Sequence, residues 1–502
     1  MWRIFFSMLC VAAVNMAAAQ TSTLIQQVLI ADGSGKPLYK GSVRMAGNRI
    51  VAVGSLKALP GENIVQGNGQ ILAPGFIDTH SHLYGYLDEA PEALAALNQG
   101  VTTIITGQDG ESDWIDSIKA QLKKRPVAVN VATYTGQTSL RELAMGDNDI
   151  YRTSTAKELS LMQQKLQVEL QQGSLGLSTG LEYEGAFYSH PDEVVALAKT
   201  AAQYGGRYMS HIRSEDIHMD AAIDELLNIG KQANIPVQIS HIKIALKDKW
   251  GTAPALLSKL DSARNAGIMV TADCYPYDFW NSTIRVLFPN KDFTSLAAAT
   301  YATENLFDPS GSVMVRFAPN KNYVGKTVAE IAKLRNETAA QTLLYMVAAA
   351  DSFRKANPDA GGVETIMGKS MHEKDIAAFM QWPHTNMCSD GGNGGHPRGY
   401  GSFTRILHQY VTVQKVLSWE MAIHKMTALA AQQTGIQQRG RIAEGYYADL
   451  VLIDPATIKD NASIANPKAL SNGIQSVWVN GVLVYQQQQP TGKFPGTFVS
   501  RL

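Results

Sequence analysis

The sequence predicts an α/β protein: a parallel α/β barrel with one small β domain made from both ends of the chain. Three observations carry this. Between about residues 72 and 430, short β-branched runs alternate with helical stretches: GVTTIITG, PVAVNVATYTG, LGLSTGLEY, GGRYMSHIRSE, IPVQISHIK, GIMVTADCYPYD and HTNMCSDGG. That is the rhythm of parallel strands joined by crossover helices. Both termini read as strands punctuated by Gly and Asn turns. Finally, 502 residues with 45% apolar and 18% charged side chains exceed one small fold at roughly 150 residues per domain and carry too few charges for disorder.

The elements follow in order. Residues 1–19 carry one Arg, an apolar run from Ile4 to Val14 and an Ala17-Ala18-Ala19 exit, which predicts a cleaved secretory signal and an exported, periplasmic or secreted protein. The run is shorter than the roughly 20 residues needed to span a bilayer, so no stable membrane insertion is expected. Residues 20–71 (STLIQQVLIADGSG, GSVRMAGNRIVAVGS) and 431–502 (YYADLVLIDP, IQSVWVNGVLVYQQQQ) supply the β domain, with Asn480-Gly481 as a two-residue hairpin turn. The Gln486–Gln489 run is expected in a tail. Residues 283–380 are less regular and suit an insertion late in the barrel.

Lys+Arg and Asp+Glu both number 44, which removes the net attraction that phosphate backbones or anionic lipids need. Nucleic acid is not an expected partner. Beyond the signal, two cysteines remain, Cys274 and Cys388; export permits a disulfide between them, but two cysteines make no disulfide framework.

The chemistry sits where apolar strand runs end, and in a parallel barrel those ends converge on one mouth. His80 and His82, in PGFIDTHSHL, stand two apart, so a strand's period of two sends both to one side, as two imidazoles on one metal require. His211 and His241 close YMSH and QISH one βα unit apart, and Asp390 in MCSDGG faces the same mouth as a metal ligand or general base. The other histidines, His396 among them, are expected to be mostly solvent-exposed. No nucleophile elbow or phosphate-cradling Gly-rich loop is expected, so covalent acyl transfer and nucleotide chemistry find no support.

Together PGFIDTHSH, GVTTIITG, YMSHIRSE, ISHIK, CSDGG followed by HPRGYGSF, and GRIAEGYYADLVLIDP closing on VNGVLV resemble the amidohydrolase superfamily. Within it, GLSTGLEY, HIRSE and HPR resemble the N-acyl-D-amino-acid deacylase (D-aminoacylase) branch, from about Thr23 to the C-terminus. The resemblance implies a (β/α)8 TIM-like barrel, a β-sandwich from both chain ends, and zinc-dependent hydrolysis of a small N-acyl amino acid or D-aminoacyl dipeptide. It implies His211 and His241 on one tightly bound zinc, His80 and His82 on a weaker or optional second site, and Asp390 as catalytic acid/base. Lys243 and Arg398 are similar to the family's substrate-carboxylate contacts, as are Tyr183 and a tyrosine of Tyr275-Pro276-Tyr277.

One departure matters. Where the family reads T-G-N-C-G, with the cysteine on zinc, this chain has Thr106-Gly107-Gln108-Asp109-Gly110. A carboxylate binds zinc at about 2.0–2.2 Å, so Asp109 is expected either to replace the thiolate as a harder ligand or to support the ligands from behind. Gln137, where the family usually has His, is a second departure, expected either to alter the acyl pocket or to mean little. Two other readings stay open: an amidohydrolase of another amide (cyclic, amino-sugar or L-configured), and a binding protein that kept the barrel.

Overall fold

The computed structural model describes residues 22–147 and 149–501; the expected signal at 1–19 lies outside them. Strands from both chain ends share one nine-stranded sheet. Its joint is Ile71–Pro74, which pairs in parallel with Thr23–Ile30 and antiparallel with Leu450–Ile453. The Asn480-Gly481 turn has φ of 49° and 77°, the left-handed pair that a two-residue hairpin needs, and joins Ile474–Val479 to Val482–Gln486. The Gln run is a further hairpin rather than a tail: Gln486 pairs with Gln489, and Gln487 and Gln488 turn with positive φ.

The barrel strands lie in a three-stranded and a six-stranded sheet, all parallel. In chain order they are Phe76–Asp78, Val101–Thr106, Asn130–Thr133 continued by Thr135–Gly136, Gly176–Gly180, Arg207–His211, Val237–Ile239, Val270–Cys274 and Thr385–Met387. The last meets the first at the rim, where Asp390 N–H donates to His80 O (2.8 Å) and His82 N–H to Gly391 O (3.0 Å). Asp78 ties the same seam by accepting from Ser389 N–H (2.8 Å) and Oγ (2.5 Å). Crossover helices earn their place by periodicity. Met219–Ala233 buries Ala222, Ile223, Leu226, Ile229, Gly230 and Ala233 on one face, and Asn234 (φ 49°) ends it before Pro236. Truncating Leu226 to Ala there would cost about 2–5 kcal/mol.

The insertion is a three-stranded antiparallel sheet, Phe279–Ser282, Glu364–Lys369 and Val313–Phe317 in spatial order, with helices Val328–Arg335 and Ala339–Ala356. It has its own core around Phe288, Phe307, Phe317, Leu343 and Met346. It therefore runs from 279 to 369, not 283 to 380, because Phe279–Ser282 pairs with Glu364–Lys369. Helix Glu373–Gln381 instead gives Ile376, Phe379 and Met380 to the barrel core. Among the described residues, no helix is long and apolar enough to cross a membrane.

Candidate metal centre and active site

Sheet geometry brings the five sequence-picked donors to one mouth. Gly107 (φ 78°) and Asp109 (φ 59°) turn the chain sharply after the second strand. Gly180 makes room for that turn, since a Cβ there would lie 2.1 Å from the Asp109 carbonyl oxygen. Asp109 then divides its carboxylate between two groups. Oδ1 lies 3.9 Å from His211 Nδ1 and 3.7 Å from His241 Nε2, and those two nitrogens are 3.0 Å apart. Oδ2 lies 3.4 Å from His80 Nε2 and 3.5 Å from His82 Nε2, and Asp390 Oδ1 is 3.5 and 3.1 Å from the same nitrogens.

These residues fit metal ions. Both sets are compact enough for one cation each, with donor atoms within 4.8 Å of one another. His80 Nδ1, His80 Nε2 and Asp109 Oδ1 are buried without a hydrogen-bond partner, an arrangement that costs free energy unless something else binds them. The surroundings also favour positive charge. Burial and Lys243 lower the His241 pKa, yet the Glu215 and Asp109 carboxylates outweigh them and raise it to about 10. An imidazole and carboxylate donor set suits zinc, and more oxygen ligands move it towards harder ions.

Comparison with known proteins agrees. A model described as "Amidohydrolase family" matches residues 327–485. The chain is 33% identical to the N-acyl-D-aspartate deacylase of Alcaligenes xylosoxydans xylosoxydans, over 96% of this chain and 95% of that protein. It is 30% identical to the D-aminoacylase of the same organism, over 94% and 96%. The chain belongs to the D-aminoacylase family of amidohydrolases. A solved structure, the N-acyl-D-glutamate deacylase of Bordetella bronchiseptica with zinc and a phosphonate mimic of the tetrahedral intermediate, superimposes with a TM-score of 0.84. That match is at 28% identity and covers 96% of this chain and 100% of the other. These matches run over the terminal β domain and the barrel alike.

Further carboxylates surround the donors. Glu182 accepts from His211 Nε2 (2.8 Å), which leaves Nδ1 for the centre. Glu215 lies 3.0 Å from His241 Nδ1 and 2.5 Å from Lys243 Nζ. Asp273 accepts the His241 backbone N–H at 2.6 Å. Carboxylates behind histidines fix the ring orientation and raise ligand basicity. Backbone strain gathers here too: Asp109, His241 and Asp390 have φ of 59°, 36° and 49°, a region costly for residues other than Gly and associated with functional sites. Burial would raise the Asp390 carboxyl, but Arg398, His80 and His82 hold it far below the usual carboxylate range.

Of the expected substrate contacts, Lys243, Arg398 and Tyr183 line a cavity of about 290 Å³ over the centre. Lys243 already pairs with Glu215, and Arg398 Nη1 with Asp390 Oδ2 at 2.7 Å. Arg398, 4% exposed, keeps a partnerless Nε. The Tyr183 ring lies 4.5 Å from the His211 ring. Tyr275 supports Arg398 from below, its ring 4.9 Å from the guanidinium carbon, and its hydroxyl points to Met371 Sδ. Tyr277 turns to the Pro397 carbonyl at 3.4 Å, and neither tyrosine lines the cavity.

His396 corrects the exposure expectation: it is buried, accepts the Arg398 N–H on Nδ1 (2.9 Å) and lines the cavity. HPR was its signal. Cys274 and Cys388 are buried free thiols, and Cys388 turns away to donate to Asp273 Oδ1 at 3.0 Å. Gln137 is buried and donates to Glu193 at 2.8 Å. Gly176–Gly180 spells G-x-S-x-G, yet it is a strand, not an elbow, and the Ser178 hydroxyl is spent on the Gly107 carbonyl.

Proposed function

We propose that this protein is an exported zinc-dependent hydrolase that cleaves the amide bond of N-acyl-D-amino acids. The observation that carries the reading is the Asp109 carboxylate shared by two donor sets, with Arg398 holding a free buried donor in the same cavity. His211, His241 and Asp109 would hold one zinc, and His80, His82 and Asp109 a second, optional one. Bound zinc supplies Lewis-acid chemistry, polarising the scissile carbonyl and acidifying water.

The chain's own residues do the rest. Asp390, kept ionised by Arg398, accepts the attacking water's proton and delivers it to the leaving nitrogen. The Arg398 guanidinium faces the substrate α-carboxylate with the donors Asp390 leaves free. Lys243, tied to Glu215, adds positive charge to that side. Glu182 and Glu215 hold His211 and His241 in place.

The rest of the cavity wall selects the side chain. Ala245, Trp280, Val286, Leu287 and Leu306 are apolar, and Glu182 and Asp216 add negative charge. Such a wall favours neutral side chains and repels the acidic ones for which two of the relatives are named.

A panel of N-acetyl-D- and N-acetyl-L-leucine, N-acetyl-D-glutamate, and the methyl ester of the best substrate tests this with zinc-loaded protein. The D-leucine compound should be hydrolysed best and its ester poorly. Preference for the L-enantiomer, or an ester as good as the acid, would contradict it.

A further inference from the structure

Two cavities meet at the centre, and the reading above uses only the smaller. The second, about 1190 Å³, opens between the barrel rim and the insertion. It shares His82, Asp109, Glu182, Tyr183 and Val286 with the first, whereas Arg398 and Lys243 line the first alone. The two arms of an N-acyl amino acid leave the scissile amide in opposite directions. With the carboxylate arm at Arg398, the acyl arm enters the second cavity. An acetyl group would leave that space almost empty.

The two walls of this cavity are of opposite kind. The barrel wall carries Glu111, Asp113 and Glu142, whose carboxylates have no ion-pair or hydrogen-bond partner among the described residues. The insertion wall carries four cations, two of them spent: Arg285 pairs with Glu184 (2.6 Å) and Asp351 (2.7 Å), and Arg354 with Asp351 and Glu364 (2.8 Å each). The other two, Lys291 and Lys355, form no ion pair among the described residues. Lys291 is held in place at a cost. Its φ is 56°, a region that residues other than Gly rarely adopt and that gathers at functional sites. Its ammonium lies 5.2 Å from the Phe187 ring, and burial holds it below the usual lysine range despite the Glu182 and Asp216 charges.

An arm of single charge would satisfy one wall and meet like charge on the other. An alkyl chain would strip water from both walls without returning a hydrogen bond, which is costly. A hydroxyl suits both, since it donates to a carboxylate and accepts from an ammonium. Tyr151 is an independent pointer. It lines the cavity, is 52% exposed, and is seated edge-to-face with Tyr188 at 6.1 Å between ring centres. A tyrosine placed so covers the C–H face of a sugar with its ring while its hydroxyl stays in water.

We propose that the second cavity takes a polyhydroxylated acyl arm of the sugar-acid type, so that the enzyme releases D-amino acids from their amides with sugar acids. This rests on the deacylase reading and names its acyl class. The bond chemistry is unchanged: the water oxygen bonds to the carbonyl carbon, the C–N bond breaks, and the leaving nitrogen takes the proton, giving the free sugar acid and the D-amino acid.

The test compares kcat/KM of the zinc-loaded protein for four D-leucine amides of equal acyl chain length, N-gluconoyl, N-hexanoyl, N-adipoyl and N-(6-aminohexanoyl), with N-acetyl-D-leucine alongside. The gluconoyl compound should exceed the hexanoyl one by about tenfold, the scale of one hydrogen bond to a charged group, and should exceed both charged arms. In a Glu142→Leu/Lys291→Met double variant, which makes one group on each wall apolar, the gluconoyl-to-hexanoyl ratio should fall towards one. Glu142→Gln/Lys291→Gln removes the charges but keeps hydrogen bonding, and should retain most of the ratio. Because the readout is a ratio, a general loss of folding or metal does not imitate it. A preference for the hexanoyl, adipoyl or aminohexanoyl arm, or an unchanged ratio in the apolar double variant, would overturn the sugar-acid assignment while hydrolysis of N-acetyl-D-leucine left the deacylase reading standing. A ratio that collapsed as fully in the glutamine pair as in the apolar pair would overturn the hydroxyl argument too. No D-leucine from any of the five compounds would overturn both readings.

Discussion

The barrel rim and the insertion contribute unlike things to the same cavity. The rim brings His82, Asp109, His211, His241 and Asp390, whereas the insertion brings Trp280, Asn281, Ser282, Val286, Leu287 and Leu306. The rim groups are seated by the hydrogen bonds of a buried parallel sheet and by carboxylates behind the rings. The insertion's contribution rests on a core of its own, packed around Phe307, Phe317 and Met346. On the proposed function, the difference teaches that bond cleavage and side-chain choice would be carried by separately packed regions. A change in one should leave the other's readout alone.

The largest effect expected from either region is at the rim. Asp390→Asn keeps the shape but removes the proton acceptor, so kcat should fall by about 10²–10⁴-fold. The fall should be alike for every substrate, with zinc content, measured by plasma mass spectrometry, unchanged. A loss confined to one substrate would break the comparison.

A smaller effect is expected from the insertion. Val286 is half-buried and lines both cavities. An arginine there adds a cation to a wall that otherwise repels anions. Val286→Arg should raise kcat/KM for N-acetyl-D-glutamate relative to N-acetyl-D-leucine by about tenfold, the scale of one favourable contact in a specificity pocket, with the metal content of wild type. Loss of metal in this variant would show that the two regions are coupled after all.

The sequence showed the two regions unequally, for physical reasons. His80, His82, His211, His241 and Asp390 were legible because each ends a strand run, and strand ends in a parallel barrel share one face. The Asn480-Gly481 turn was legible because its φ requirement is local. Glu182 was not, because its partner His211 lies 29 residues away on the next strand and no local pattern encodes a cross-strand contact. Glu215 stood inside a quoted motif, but only the folded loop shows that it holds His241 and Lys243 together. The insertion's edges were misplaced because Phe279–Ser282 is made a strand by pairing with Glu364–Lys369, about 85 residues on. Nor could spacing show that one carboxylate, Asp109, serves two donor sets, since that depends on the direction of its two oxygens.

That sharing is the central claim, and metal content tests it most directly. Wild type, Asp109→Ala and Asp109→Cys would be purified, loaded with zinc, dialysed and analysed for bound metal. Asp109→Ala should lose its tightly bound zinc and its hydrolytic activity together, while Asp109→Cys, which restores the thiolate of the family motif, should keep zinc. Full zinc occupancy in Asp109→Ala would contradict the claim and leave the four histidines to hold the metal without it.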